Sequence, residues 1–485
     1  MLWPLLAKNL GRGRAEETAL AAGERAISYG ELAAAVRRGG DEIDAQFAAG
    51  ARVLVAARNQ LHVGVALLAA LQSRATPLLA DPTSVERLRG IAREWRLSGA
   101  IGEREVLAET GLPIIGTSRI ESWLGAAHGS SPDDLPPAVA GDEPSFWTFT
   151  SGTTGEPKAV VHSHRGPSAA YAAFASGVVH LGPEDVTIAT AGLPFVYALG
   201  NNFFFPLMAG GTAVLPSDLL LPTVLGELAR HGASVLVAGP WSLSGIVRLV
   251  RRARWVEAIR RLRCVLSAGE PLPERVFLEW RKRFGKEVLD NLGCTEMFNS
   301  FVSNTMGRAR PGSLGEGVPG FEIQVGGEPP LRGAKGELRV RGDSRAIAVG
   351  RAGKLDPPEG EWCDTGDEVE VGDDGTLAFL GRRDDRFKVK GQFLHPVEVE
   401  RSLAEVPGVA ECLVVAEPDA NGLAVVVVKV VADEKVTTRE DLVRRLLRHA
   451  RARLEPFAVP ERIDVVESLP RSERGKLVRR AAVEG

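Results

Sequence analysis

Short runs of β-branched and apolar residues alternate along the chain with longer stretches whose apolar positions recur every three or four residues. Residues 52–56 (Arg-Val-Leu-Val-Ala) predict a strand, and residues 61–71 after them predict a helix. The pattern is sharpest in the middle of the chain. Strands predicted at 235–239, 264–268 and 287–292 alternate there with helices at 242–253 and 274–284. Alternation at that spacing implies βαβ units and a parallel sheet. Beyond residue 310, turn clusters at 312–320, 326–330 and 372–375 separate short strand-like runs at 337–341 and 377–380. That texture predicts a small β-rich subdomain. After Gly381 the pattern changes again, to an apolar segment at 397–403, strands at 411–416 and 423–431, and an amphipathic helix at 439–454. Leu442, Val443, Leu446, Leu447, Ala450 and Leu454 line one face of that helix. The expected fold class is α/β. A large N-terminal domain (residues 1–381) holds parallel-sheet α/β layers and the β-rich subdomain, and a small α+β C-terminal domain spans 382–485.

One stretch tests that picture. Residues 186–217 carry no charged side chain, a length that could span a bilayer. Pro194, Gly200, Asn201, Asn202, Pro206, Gly210 and Gly211 interrupt it, and backbone broken that often would strand polar groups in lipid. It reads as the buried interior of a large domain, with no membrane span. The start of the chain lacks a basic region before its short apolar stretch, so no secretory signal is expected. With 44% hydrophobic and 25% charged residues, the balance excludes disorder, collagen and coiled coil. Lys+Arg 59 against Asp+Glu 62 leaves no basic field that would favour nucleic acid. The four cysteines, Cys264, Cys294, Cys363 and Cys412, have no metal-binding spacing and fit a reduced, cytoplasmic protein.

Candidate chemistry concentrates first in Thr150-Ser-Gly-Thr-Thr-Gly-Glu-Pro-Lys158. Glycines let backbone N–H groups approach an anion, hydroxyls add donors and the lysine adds a point charge. The run follows a predicted strand at 146–149 and lacks the spacing of a Walker-type loop. Taken alone, it is also compatible with an ordinary loop rich in Ser, Thr and Gly.

Four further strings follow in order: Asn291-Leu-Gly-Cys-Thr-Glu296, Asp364-Thr-Gly-Asp367, Gly381-Arg-Arg-Asp-Asp385 with Lys388 and Gly391, and Pro470-Arg-Ser-Glu-Arg-Gly-Lys476. Together with the first they resemble the motifs of the adenylate-forming superfamily, which includes acyl- and aryl-CoA synthetases, peptide-synthetase adenylation domains and luciferases. The resemblance spans residues 145–480, and residues 1–144 fit by position. It implies that a carboxylate and MgATP give acyl-AMP and pyrophosphate, after which a thiol displaces AMP. Thr150, Ser151, Gly152, Thr153, Thr154, Gly155 and Lys158 would then hold the β- and γ-phosphates. Ala159 departs from the usual glycine after that lysine. Glu296 would hold Mg²⁺, and Thr295 would orient the α-phosphate. Gly269, Glu270 and Pro271 resemble the adenine loop, with Asn291 beside it and Leu292 where many members carry tyrosine. Asp367 would accept the ribose hydroxyls, and Arg382 would meet ribose or phosphate. Lys476 is the implied catalytic cation. The C-terminal domain would be mobile, pivoting near Asp384, with Lys388, Lys390 and Gly391 turned towards the thiol in the second half-reaction.

Within the superfamily, Phe195-Val-Tyr-Ala-Leu-Gly-Asn201 and the continuation from Gly293 through Asn299 to Asn304 most resemble benzoate- and other aryl-CoA ligases. That likeness makes Phe195, Val196, Tyr197, Gly293 and Asn299 the acid pocket, with Asn299 able to donate to a ring substituent. Phe203, Phe204 and Phe205 read as core. The implied substrates are ATP, a small carboxylic acid and coenzyme A. A second reading replaces coenzyme A with the phosphopantetheine arm of an acyl carrier protein, and a third makes the chain a non-catalytic nucleotide-binding regulator. Oligomeric state and the native acid have no signature in the string.

Overall fold

The computed structural model describes residue 9 and residues 13–125, 141–150, 158–419, 423–433, 436, 438–471 and 477–479. Strands among them form five sheets. The largest has six parallel strands in its centre, in the spatial order Leu289–Gly293, Cys264–Ser267, Val235–Ala238, Val186–Ala189, Thr212–Val214 and Thr18–Ala22. Antiparallel strands cover both its edges. Val235, Leu236, Val237 and Ala238 are all buried, as expected of a strand that helices cover on both faces. In a second, eight-stranded sheet, Arg52–Ala56 lies between Thr76–Leu79 and Gly99–Gly102, all parallel.

One continuous core joins both sheets, holding Val53 and Phe146 of one with Leu236 and Val265 of the other. Helix Gln60–Gln72 runs through that core and buries nearly every residue from Gln60 to Ala70. Helix Tyr29–Gln46 packs beside it, its start set by a capping box in which Ser28 accepts from the Glu31 amide and Glu31 accepts from the Ser28 amide.

The uncharged segment at 186–217 lies in this interior. It forms the strand Val186–Ala189, a helical turn Val196–Leu199, a wide turn Gly200–Phe204, the helix Phe205–Ala209 and the strand Thr212–Val214. Phe203, Phe204 and Phe205 are at most 1% exposed. Among the described residues no helix is long and apolar enough to cross a membrane.

The β-rich region is a four-stranded antiparallel sheet, Glu322–Val325, Lys335–Arg341, Cys363–Val371 and Leu377–Arg382, with its own core around Leu338, Val340 and Val369. After the turn Arg383–Asp385 a separate core begins at Val389 and runs to Ala458. The amphipathic helix Arg439–Arg453 supplies Leu442, Leu446 and Ala450 to it.

Two boundaries differ from the sequence pattern. The single helix expected at 242–253 is two, Pro240–Leu249 and Ala253–Arg261. Between them Val250 turns extended (φ −70°, ψ 111°) and is fully buried, and the Val247 and Val250 carbonyls accept from the Arg283 guanidinium in place of continuing the helix ladder. The strand expected from 287 starts at Leu289, because Glu287 instead accepts from the Gly307 amide and pairs with Arg281 at the surface.

Candidate active site

Strands Pro144–Thr150 and Lys158–Ser163 are antiparallel neighbours, with Thr150 opposite Lys158 as their last pair. The phosphate run therefore links two antiparallel neighbours in the sheet. Ser151, Gly152, Thr153, Thr154 and Gly155 lie outside the described residues. At the base of the hairpin Lys158 Nζ stands 2.7 Å from Glu296 Oε1, both side chains about a quarter exposed.

Glu296 sits in the single turn Thr295–Met297, directly after strand Leu289–Gly293. Phe298 then takes a left-handed conformation (φ 62°), which reverses the chain into the antiparallel strand Ser300–Ser303. A bulky residue there costs about 1–3 kcal/mol, which packing must offset. Phe298 is fully buried, its ring 5.2 Å from His162, 5.8 Å from Phe146 and 6.1 Å from Phe204 and Phe205. Burial pushes His162 down to about 3, so it packs as a neutral ring. Aromatic packing thus fixes the turn that aims Glu296.

The wall facing that turn is polar but uncharged. Tyr197 OH accepts from Asn291 Nδ2 at 3.1 Å, and Asn291 Oδ1 accepts from Ser300 Oγ at 2.5 Å. Asn201 Nδ2 donates to Asn299 Oδ1 at 3.0 Å and to the Tyr197 carbonyl at 3.1 Å. Asn299 Nδ2 points at the Val196 carbonyl, 3.4 Å away. Asn299 is 2% exposed, so its amide already has partners within the protein and ties the two segments together. Both segments need glycine: a Cβ on Gly200 would lie 2.4 Å from Asn299 Nδ2, and one on Gly293 2.4 Å from the Asn299 carbonyl. Phe195, Val196 and Tyr197 are half-buried against this wall. Tyr197, Val196, Asn291 and Asn299 are thus brought together, and Asn291 directly follows Asp290, the strand partner of Ser267 at the start of the 267–271 loop.

Gly200 and Asn201 lie in the string at 195–201, and Phe298 and Ser300 in the stretch after Glu296, but the sequence alone assigns none of the four its packing role. Their signal was the pair of amides in an uncharged, buried run, since buried amides require partners.

On the other side, strand Cys264–Ser267 ends in the loop that holds Gly269 (φ 97°), Glu270 and Pro271. Glu270 Oε1 accepts from the Leu477 amide at 3.1 Å, so the residue after Lys476 lies at this loop. Lys476 itself is outside the described residues. Asp290, one strand over, is fully buried, accepts from the Leu272 amide at 3.3 Å, and is pushed up to about 7 by that burial. Leu292 is half-buried against the small β-rich core. Asp367 is 3% exposed and lies directly across a strand pair from Arg382, whose Nη1 is 3.2 Å from its carboxylate.

Asp384 is exposed in the turn Arg383–Asp385. Arg383 joins this turn to Asp364 and Glu337, each at 3.0 Å. Lys390 (φ 50°) and Gly391 (φ 84°) form the two-residue loop of the hairpin Phe387–Val389 and Gln392–Leu394, where such loops favour two positive φ values. Lys388 lies 4.8 Å from the Phe393 ring centroid and Lys390 is 3.2 Å from Glu461. These contacts keep them on the C-terminal unit, away from the phosphate hairpin.

A nearby ammonium shows that Glu296 accepts a cation. One carboxylate beside a phosphate loop also suits a hard ion that keeps most of its ligands as water and phosphate oxygen. Among the described residues no group of three or more His, Cys, Asp or Glu side chains is placed to hold a metal ion.

The AMP-binding enzyme family matches residues 7–348, and the AMP-binding enzyme C-terminal domain matches residues 398–476. Benzoate–CoA ligase of Thauera aromatica is 30% identical over 98% of this chain and 94% of its own. A p-hydroxybenzoic acid–AMP ligase of Mycobacterium tuberculosis is 38% identical over 71% of this chain, which spans 49% of that relative's length. A benzoate CoA ligase structure from Burkholderia xenovorans superposes with a TM-score of 0.86 at 27% identity, covering 98% of this chain and 99% of that one. This chain belongs to the AMP-binding enzyme family.

Proposed function

We propose that the chain is an acid–thiol ligase that activates an aryl carboxylic acid of the benzoate type with ATP and passes the acyl group to coenzyme A. The observation that carries this reading is the uncharged wall of Tyr197, Asn201, Asn291 and Asn299, set beside the Glu296 turn. Such a wall accommodates a flat ring and offers no carboxylate to pair an amino acid's ammonium. The names of the relatives from Thauera and Burkholderia support it.

In the first step a carboxylate oxygen attacks the α-phosphorus, forming acyl-AMP as the bond to pyrophosphate breaks. In the second the thiol sulfur attacks the acyl carbonyl, loses its proton, and AMP leaves. Thr150 and Lys158 brace the phosphate hairpin, and Thr295 is placed to orient the α-phosphate. Glu296, with the nucleotide, would hold Mg²⁺, which neutralises phosphate charge when bound. Asp367 accepts the ribose hydroxyls, with Arg382 beside it. Lys476 stabilises charge during adenylation. Residues 1–381 bind ATP and acid. Residues 382–485 turn about Asp384 between the two steps, and the Lys388–Lys390–Gly391 hairpin then faces the thiol.

The test is acid-dependent ATP–pyrophosphate exchange across benzoates, phenylacetates, cinnamates and fatty acids, followed by addition of free coenzyme A. Exchange confined to benzoates with rapid acyl-CoA formation is expected, and preference for a fatty acid would overturn the reading. The Mycobacterium relative, named as an AMP ligase, favours one second reading, transfer to a carrier-protein phosphopantetheine arm. Exchange with benzoates but no turnover of free coenzyme A would select it.

A further inference from the structure

Helix Pro240–Leu249 presents Trp241 and Arg248 seven residues apart, hence on one stripe of its surface. Trp241 is 45% exposed. The guanidinium carbon of Arg471 stands 5.9 Å from its ring centroid. Arg471 Nη2 is 2.6 Å from Glu411 Oε2, and Arg248 Nη2 is 3.4 Å from Glu411 Oε1. Three contacts thus link the four side chains in a row whose two ends stand on the same helix. Two come from the N-terminal unit, one from strand Val409–Pro418 and one from the position where the C-terminal tail begins.

The same row of contacts meets the start of that tail. Arg471 and Leu477 are bridge partners, and the Val478 amide donates to the Pro470 carbonyl at 3.0 Å. Leu477 in turn donates to Glu270 in the loop after Ser267. One end of the tail is therefore pinned by Glu411 and Trp241, the other by Glu270. Glu411 is the hub, because its two oxygens serve a guanidinium on each unit. Its side chain is only 22% exposed, which shields these contacts from salt better than an open surface pair.

We propose that Trp241, Arg248, Glu411 and Arg471 form a latch that selects the orientation of the two units used for acyl-adenylate formation, and so act as positioning residues for that half-reaction. The proposal rests on the reading of Lys476 given above. A ligand or contact shifts a two-state equilibrium only by its differential affinity for the states, and these contacts join surfaces that a rotation would part.

The test uses the full chain with Glu411→Gln and, separately, the exposed Trp241→Ala. Benzoate-dependent pyrophosphate exchange should fall by about 3- to 10-fold in each, the range of couplings carried by such networks. Thioester formation from supplied benzoyl-AMP and coenzyme A should stay within about twofold of the parent or rise. A merely structural role would depress both steps together. Hydrogen exchange of the Leu477 and Val478 amides, measured without any acid, should speed up in Glu411→Gln. Equal loss in both half-reactions, no loss in either, or unchanged amide exchange overturns the latch. If the parent turns over no benzoate while the two amides still respond, the aryl-acid reading falls and the latch stands.

Discussion

Glu296 illustrates how much one residue depends on its neighbours. Its carboxylate lies 2.7 Å from the Lys158 ammonium, and an aromatic cluster holds the turn that carries it. Glu296→Gln should lower acid-dependent pyrophosphate exchange by about 10²- to 10³-fold, the usual cost of removing one preorganised electrostatic group. Thermal stability should change little, because the pair is part-exposed, and a melting curve checks that half of the expectation. Gly200→Ala behaves the opposite way. Its methyl would press on Asn299 Nδ2 at 2.4 Å and the Phe205 ring at 3.0 Å, so about 1–3 kcal/mol of stability should be lost in urea titration. Glu296 stands out in the sequence only through the set of strings that resemble the family's motifs. The need for glycine at 200 does not, since Asn299 is 99 positions further along the chain.

At the scale of elements, strands and helices were largely written in the period of apolar residues. Their ends were not. Helix Pro240–Leu249 stops where Val250 turns into the core, a tertiary decision that local propensity does not encode. The turn Arg383–Asp385 shows the reverse case, in which a short motif marks a place but not its mechanics. Arg383 is shared between Asp364 and Glu337, and the carboxylate of Asp385 lies 3.6 Å from Arg479 in the C-terminal tail. Asp384→Pro should stiffen this turn by limiting φ, and so should impair one half-reaction while sparing the other. Separate assays of pyrophosphate exchange and of thioester formation from supplied acyl-AMP decide it, and two normal rates would place the pivot elsewhere.

For the whole molecule, the role proposed for Lys476 requires that Lys476→Ala depress acyl-AMP formation and spare thioester formation from supplied acyl-AMP. Equal loss in both would contradict its role. Stability against acid should follow three buried groups. His162 and His164 are pushed down to about 3 and about 4 by burial, so between those values and 6.5 the unfolded chain binds protons the native one refuses. Stability supplied by these two groups is full above pH 6.5 and lost as pH falls. Asp290, raised to about 7, acts with the opposite sign, since the native state keeps a proton that the unfolded carboxyl releases above about 4. The histidines outnumber it, so urea midpoints should fall from pH 7 to pH 5. Asp290→Asn should raise the midpoint more at pH 8 than at pH 4 and should steepen the acid loss.

Composition and periodicity by themselves determined the α/β class, the change of texture after residue 310 and the buried nature of the uncharged run at 186–217. Short motifs determined which chemistry the chain carries, because phosphate, ribose and ion each demand particular groups within a few neighbouring residues. Only the tertiary structure decided that the phosphate run closes a hairpin, that Asn299 turns its amide on Val196 and Asn201, and that Glu411 joins Arg248 to Arg471. These are contacts between segments some 60 to 160 residues apart or held by packing, and a one-dimensional pattern records spacing along the chain but not approach across it.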